Sequence, residues 1–368
     1  MLSNKGTSIF SEINSFFPEN DNRNAINSIM DIARHLKING KSLSIESNDN
    51  CKFTRLQVLE LLLLFPLFMV KNAFHYSESV LFKVLSCKKD VFYRFMANGS
   101  LDWRKILYRI NLQLIGKIAV RADSCSGKDP VCLIVDDSDL PKTGKKIERI
   151  GRIFSHVTHS SIIGFKALFL CRTDGKTQTV PDFSLHGEEG SRPEKPFGMT
   201  REQRQKQYRR ERKETEAVQE RNGDWTGLLT TNTKLDFFEA YHIYSMRWSV
   251  EVFFKEAKSL LGLGKSQSRD FASQIASISI AVLQYNILGT VKRFRSYETI
   301  GGLFHQATDG VVQLSVTERI WGILQELVRI IAEAFLIDDE RVMDTLINRS
   351  ETFKHFINID NLELKQAA

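Results

Sequence analysis

Four side chains suited to phosphodiester chemistry recur at helical spacing in one segment of the sequence. Residues 237–261 contain nothing that breaks a helix, and Tyr244, Arg247, Glu251 and Lys258 lie within them. At about 100° per residue these side chains share one stripe about 60° wide. A glutamate is a hard oxygen ligand for a divalent cation, and the other three side chains suit phosphate oxygens. The stripe indicates either metal-assisted phosphodiester chemistry or a solvated helix face with ordinary i,i+4 ion pairs.

A second group of candidate residues follows a short apolar run. Residues 131–135 are continuously apolar, which predicts a strand buried on both faces. Asp136 and Asp137 come next, and we expect carboxylates at the end of a central strand to be held rigidly at a solvent boundary. An EF-hand loop is excluded, because Pro141 and Ile147 stand where that loop needs glycine and glutamate.

These segments resemble one known family. The spacing Tyr-x2-Arg-x3-Glu-x6-Lys, together with the sequence from Tyr244 to Lys258, resembles the YREK signature of DDE-type insertion-sequence transposases. The sequence Ile-Val-Asp-Asp-Ser at 134–138 resembles the context of that family's first catalytic aspartate. The sequence Leu-Pro-Lys-Thr-Gly at 140–144 also resembles the sequence that follows this aspartate in the family.

The resemblance implies roles for particular residues. Asp136, or Asp137 as the alternative, would be the first catalytic and metal-binding acid, and Glu251 would be the last. Both would hold Mg²⁺ in a two-ion site if the site is complete. The implied DNA-binding residues are Tyr244, Arg247 and Lys258.

The implied fold is α/β, with a ribonuclease-H-like mixed sheet, an N-terminal helical region and C-terminal helices. Residues 1–122 read as helical and are expected to bind DNA ends, residues 123–290 read as the catalytic core, and residues 291–368 as a C-terminal helical region. Within the core, an Asp-Gly turn at 174–175 between two strand-like runs, 162–172 and 178–184, predicts a hairpin.

The family's second catalytic aspartate has no clear counterpart in this sequence. It should end a strand and precede an inserted subdomain, and the chain is short between 185 and 235, where we expect that segment to be missing. Asp224 is a weak candidate because it precedes a predicted strand at 225–231, whereas Asp182 and Asp236 lie in other contexts. We hypothesise that the strand at 225–231 fills the vacant place beside residues 131–135.

Charge is compatible with double-stranded DNA as a partner, both at transposon ends and at the target. The chain has 368 residues, a net charge of +7 and a pI of about 9.0. Two short helices at 77–85 and 90–96 predict either a helix-turn-helix or a bundle with a basic outer face. Ten basic residues and six glutamates at 192–221 predict a charged helix that lies along phosphates or is simply a solvated surface.

Other classes of protein are disfavoured. Walker, GxSxG and dinucleotide motifs do not occur, so a nucleotide cofactor is not expected. The apolar run at 61–70 is too short for a membrane span, and five scattered cysteines suggest a reducing cytoplasm, with the protein on the nucleoid when DNA is bound. Ile320, Leu324 and Leu327 begin a coiled-coil-like spacing, which suggests internal packing or a homodimer.

The function predicted for the chain is that of a DNA transposase which cuts and joins strands by metal-dependent phosphoryl transfer, an activity that an internal deletion could impair. The alternative is a non-catalytic DNA-binding remnant that acts as an inhibitor or repressor.

Overall fold

The chain begins with a set of packed helices. The structure, a computed structural model, describes residues 8–14, 24–36, 40–47, 51–122, 130–188, 236–295, 297–335 and 338–350. Up to residue 122 the described part contains α1 (Ile9–Asn14), α2 (Asn24–His35), α3 (Gly40–Leu43), α4 (Arg55–Leu64), a 3₁₀ helix (Ala73–Glu78), α5 (Leu81–Val84), α6 (Lys89–Met96) and α7 (Trp103–Ala122).

The predicted helix pair at 77–85 and 90–96 is only half confirmed. Its second member is α6, but its first is replaced by the 3₁₀ helix and the four-residue α5. The buried Tyr76 hydroxyl donates to the carbonyls of Leu81 and Leu85, so these turns are tied together instead of extending as one helix. α6 turns Phe92 and Phe95 to the core and leaves an exposed outer face.

The described part of the sheet is antiparallel throughout. Its strands are β1 (Cys132–Pro141), β2 (Gly151–Ser155), β3 (Ser160–Thr173) and β4 (Gln178–Leu185). β1 pairs along one edge of β3, and the other edge of β3 pairs with β2 and then with β4. The predicted hairpin around residues 174–175 is confirmed as β3–β4. The ribonuclease-H-like assignment stays a prediction, because it also requires a parallel strand.

The prediction for the apolar run at 131–135 is wrong in two respects. β1 is not buried on both faces: Ile134 is buried, while Leu133 and Val135 are 68% and 62% exposed. Asp136 and Asp137 lie within the strand and not at its end, because β1 continues to Pro141. β1 pairs with β3 alone in the described part of the chain, and helices cover only one of its faces, so its side chains alternate in burial.

The outer edge of β4 is closed by side chains. The buried Asn286 accepts from the amide of Val180 and donates to its carbonyl and to Asn111. Asn111 donates to the same carbonyl. Two asparagines on different helices therefore satisfy the backbone groups that this part of the strand would otherwise leave unpaired.

After residue 235 the described chain is again helical. The elements are α8 (Phe237–Ser245), α9 (Trp248–Leu260), α10 (Phe271–Phe294), α11 (Ile300–Phe335) and α12 (Asp339–Arg349). α10 is long and apolar enough to cross a membrane, but 83% of its most apolar stretch is buried inside the protein, as in the core helix of a globular fold. One hydrophobic core continues from α1 through the sheet to α11.

The predicted single helix at 237–261 is broken at Met246 and Arg247. The amides of Met246 and Arg247 bond three residues back, to Ile243 and Tyr244, which is the tighter 3₁₀ pattern. The hydroxyls of Ser245 and Ser249 also donate to backbone carbonyls of the preceding turn. Serine bonds of this kind bend helices, and they flank the break on both sides.

Candidate nucleic-acid and metal site

α9 lies on the face of the sheet that carries Asp136, called the inner face below. Phe253 and Phe254 of α9 pack against Phe169, with ring centroids 5.3 and 5.5 Å apart. Phe169 is the partner of Asp136 in the β1–β3 register, so the two side chains share a face. The helix that bears Glu251 is therefore anchored beside Asp136.

Arg247 makes the direct connection between the two segments of the predicted site. Its guanidinium Nη1 lies 3.7 Å from the Asp136 carboxylate, and its Cζ lies 5.9 Å from the centre of the Tyr244 ring. Arg247 and Tyr244 remain neighbours across the helix break. About half of the Arg247 side chain and 28% of that of Asp136 are exposed, so a phosphate could reach both from solvent.

Glu251 occupies the stretch of α9 between two contacts with this strand pair. Arg247, four residues before it, meets Asp136, and Phe254, three residues after it, meets Phe169. Residues three and four apart lie on one side of a helix, so Glu251 is on the side of α9 that carries Arg247 and Phe254, and its side chain is exposed.

Asp137 and Asp139 lie on the opposite face of β1, called the outer face. Lys166 of β3 approaches both carboxylates, at 2.8 Å from Asp137 and 3.4 Å from Asp139. Partial burial lowers the pKa of Lys166, but its hydrogen bond to Asp137 and the charges of both aspartates outweigh this effect and raise it. Of the two alternatives for the first acid, only Asp136 shares a face with the Glu251 helix.

Lys258 also lies close to the sheet. Its ammonium group is 5.9 Å from the ring centre of Phe254. Burial lowers the pKa of Lys258, and the negative charge of Asp139 partly offsets that shift. Lys258 is half-buried and lies close enough to β1 for its ammonium group to be stabilised by the charge of Asp139.

Neither of the described candidates for a second aspartate completes a triad. Asp182 is on the outer face, where Arg104 pairs with it at 3.0 Å. Asp236 is the N-cap of α8 and accepts from the amide of Glu239. Asp224, the predicted strand at 225–231 and the charged segment at 192–221 lie outside the described residues. Across the described ranges, no group of three or more His, Cys, Asp or Glu side chains is arranged to hold a metal ion.

Two predicted carboxylate ligands are the number that one magnesium ion commonly takes, and fewer than a two-ion site needs. Mg²⁺ is commonly bound by one or two carboxylates together with waters and substrate phosphates, which Asp136 and Glu251 could provide. A two-ion site needs at least one further bridging acid, and the described part of the chain does not place one there.

A clamp at the end of β1 fixes the far end of α9. The ammonium group of Lys142 is buried and donates at 2.7 Å to the carbonyls of both Gly264 and Ser266, in the loop between α9 and α10. The side chain of Thr143 bonds to Gln267 in the same loop. Burial lowers the pKa of Lys142 to about 8. This clamp sets the position of α9 along β1.

Gly264 makes the close approach of this loop to β1 possible. It has a φ of +78°, and a Cβ atom there would lie 2.8 Å from the Leu140 side chain.

Sequence reasoning did not find the roles of Lys142 and Lys166. The Pro-Lys-Thr-Gly sequence was a signal for Lys142, whereas Lys166 could be found only once the β1–β3 register was known.

One comparison with known proteins gave a match. Residues 177–287 match the family model described as transposase DDE domain. The matched range contains Tyr244, Arg247, Glu251 and Lys258 and begins after Asp136. No curated protein and no solved structure matches this chain. The match supports the prediction of a DDE-type transposase.

Proposed function

We propose that this chain binds the ends of a transposable DNA element and cleaves phosphodiester bonds there with a divalent metal ion. The observation that carries this proposal is the placement of the Glu251 helix on the inner face of the sheet, with Arg247 3.7 Å from Asp136. The family match to residues 177–287 supports the same function independently. The proposal also places the protein on DNA in the cytoplasm.

In this proposal each side chain has a distinct task. Asp136 and Glu251 would hold Mg²⁺, which when bound would supply activation of water and stabilisation of charge on the phosphate. Arg247 and Lys258 bind DNA phosphates, the first by a planar fork of donors and the second as a point charge. A phosphate that engages Arg247 would compete with its contact to Asp136, which would leave that carboxylate available as a ligand. Tyr244 contacts the terminal nucleotides.

Two further parts of the proposal concern the whole chain. The segment with the family's second aspartate is missing between 185 and 235, and the helices up to residue 122 contribute to DNA binding. Arg94 of α6 and Lys88, the residue just before α6, are both exposed, which suits contact with a DNA backbone or groove.

A non-catalytic DNA-binding protein is the second candidate function. It is favoured by the lack of a third acid beside Asp136 and Glu251 in the described residues. A binder of this kind would occupy transposon ends, or form mixed dimers with an active transposase, and thereby repress transposition.

Plasmid cleavage distinguishes the two functions. Supercoiled plasmid carrying the sequences that flank the coding region is incubated with protein and Mg²⁺ or Mn²⁺. Nicking that falls at least about a hundredfold in Glu251→Gln supports the enzyme, because that change removes the charge and keeps the shape. Glu78→Gln, which alters an exposed glutamate on the 3₁₀ helix, should cleave like the wild type. A salt-sensitive gel shift without nicking would instead support the non-catalytic binder.

A further inference from the structure

A groove of about 630 Å³ separates the N-terminal helices from the end of the Glu251 helix. One wall is formed by the chain between α4 and the 3₁₀ helix and by the end of α6. The other wall is formed by the loop that follows α9 and by one side of α10. Because Leu261 and Gly262 line it, the groove begins where α9 ends.

The lining of this groove is suited to an anion. Lys71 and Lys265, one on each wall, are exposed, and the described lining includes neither aspartate nor glutamate. The remaining polar lining consists of uncharged donors and acceptors, among them Asn72, Ser266 and Ser268. Charge complementarity therefore favours a phosphate-bearing ligand over an apolar helix or a cationic peptide.

Two aromatic rings stand exposed in the same groove. Phe74 is 57% exposed and Tyr93 is 47% exposed, although large aromatic side chains usually bury most of their surface. The ammonium group of Lys89 lies 4.5 Å from the centre of the Phe74 ring, which brings a third positive charge to this wall. Rings next to lysines are the combination with which proteins hold unpaired bases and their phosphates.

The geometry points to a binding site for single-stranded DNA in this groove. Bases stack on Phe74 and Tyr93, while Lys71, Lys89 and Lys265 meet the phosphates of the same strand. The volume is in the range of pockets that hold one drug-sized molecule, which matches one or two nucleotides and not a duplex. The inference rests on the proposed function in one respect: strand cleavage beside α9 supplies the single strand that the groove receives.

Fluorescence anisotropy with a labelled oligothymidylate of about twelve nucleotides tests the site on the full chain. Phe74→Ala and Tyr93→Ala should each weaken binding about tenfold, because each removes one stacking surface. Lys265→Gln should also reduce the slope of log affinity against log salt by about 0.7, the value for one phosphate contact on a single strand. All three side chains are exposed, so these variants should melt like the wild type.

Tyr108→Ala and Lys105→Gln are matched controls on α7. Both residues are exposed and lie outside the groove lining, so affinity should not change. Equal binding by the wild type and the groove variants would overturn the inference. So would an equal loss of affinity for single-stranded and duplex DNA, because it would assign these side chains to a duplex surface.

The same assay separates this inference from the proposed function. Glu251→Gln should bind the oligonucleotide like the wild type, since Glu251 is not among the groove residues. A wild-type protein that binds single strands through Phe74 and Tyr93 but never nicks plasmid would refute the proposed cleavage and leave the groove intact. Nicking that depends on Glu251, without groove-dependent binding, would do the reverse.

Discussion

Asp136 and Asp137 are neighbours in the sequence, yet alternation along β1 gives them different surroundings. Asp136 faces the helix with Glu251 and approaches Arg247, whereas Asp137 faces away and is held by Lys166. The sequence left these two aspartates as alternatives. Their assignment to faces depends on the register with β3, which a local pattern cannot supply.

The two aspartates can serve as each other's control in a mutagenesis experiment. Asp136→Asn should abolish metal-dependent nicking, with a loss of at least about a hundredfold, because it removes a carboxylate ligand from the proposed site. Asp137→Asn makes the same chemical change one residue away and should leave nicking within about threefold of the wild type. Plasmid nicking in Mg²⁺ and in Mn²⁺ measures both variants, and the opposite ranking would transfer the role to Asp137.

At the scale of elements, the sequence predicted correctly those turns and strands whose formation depends on neighbouring residues. The Asp-Gly turn correctly predicted the β3–β4 hairpin, where Asp174 accepts from the amides of Lys176 and Thr177. The apolar run at 131–135 led to a wrong prediction of burial on both faces, because Leu133 and Val135 are apolar although they are exposed. The break at Met246 was equally hidden, since neither proline nor glycine marks it.

The clamp between Lys142 and the α9–α10 loop gives a prediction about pH. The pKa of Lys142 is about 8 in the fold and about 10.5 in the unfolded chain, so between these values the unfolded chain binds more protons. Stability from this group should therefore rise with pH across that window. The free energy of unfolding of the wild type, minus that of Lys142→Met, should increase by about 2 kcal/mol from pH 7.5 to 10.

Urea unfolding at the two pH values measures this difference. Thr143→Val is the control, because it removes the neighbouring hydroxyl bond to Gln267 without removing a titrating amine. Its difference from the wild type should not vary with pH. A constant difference for Lys142→Met as well would show that the amine titrates normally in the fold.

At the scale of the whole molecule, α11 leaves a long row of large apolar side chains exposed. Trp321, Val328 and Ala332 are buried on one side of the helix. The other side exposes large apolar residues spaced four and three apart: Val316, Ile320, Ile323, Leu327 and Ile330. Alternating steps of four and three residues are typical of the apolar seam of a coiled coil. A seam of this kind can pack against the same seam of a second copy of the chain. The sequence predicted such a spacing, but its residues were 320, 324, 327, 331 and 334.

We therefore predict that the protein forms a homodimer through this side of α11. Ile323→Lys or Leu327→Lys should raise the dimer dissociation constant at least about tenfold, because a charge would be placed in the apolar seam. Gln325→Lys, on an exposed position of the same helix outside the seam, should not. Sedimentation equilibrium measures all three variants. A wild-type protein that stays monomeric at micromolar concentration would contradict the prediction.

The break at Met246 and Arg247 divides the candidate site residues between two helices that are held in different ways. Glu251 and Lys258 belong to a helix that aromatic packing and the Lys142 clamp keep in register with β1. Tyr244 belongs to α8, which buries none of its side chains and follows that helix only through a bent turn. In the proposed site, the helix with Glu251 would therefore stay fixed against β1, while the helix with Tyr244 could change its angle to contact different DNA ends.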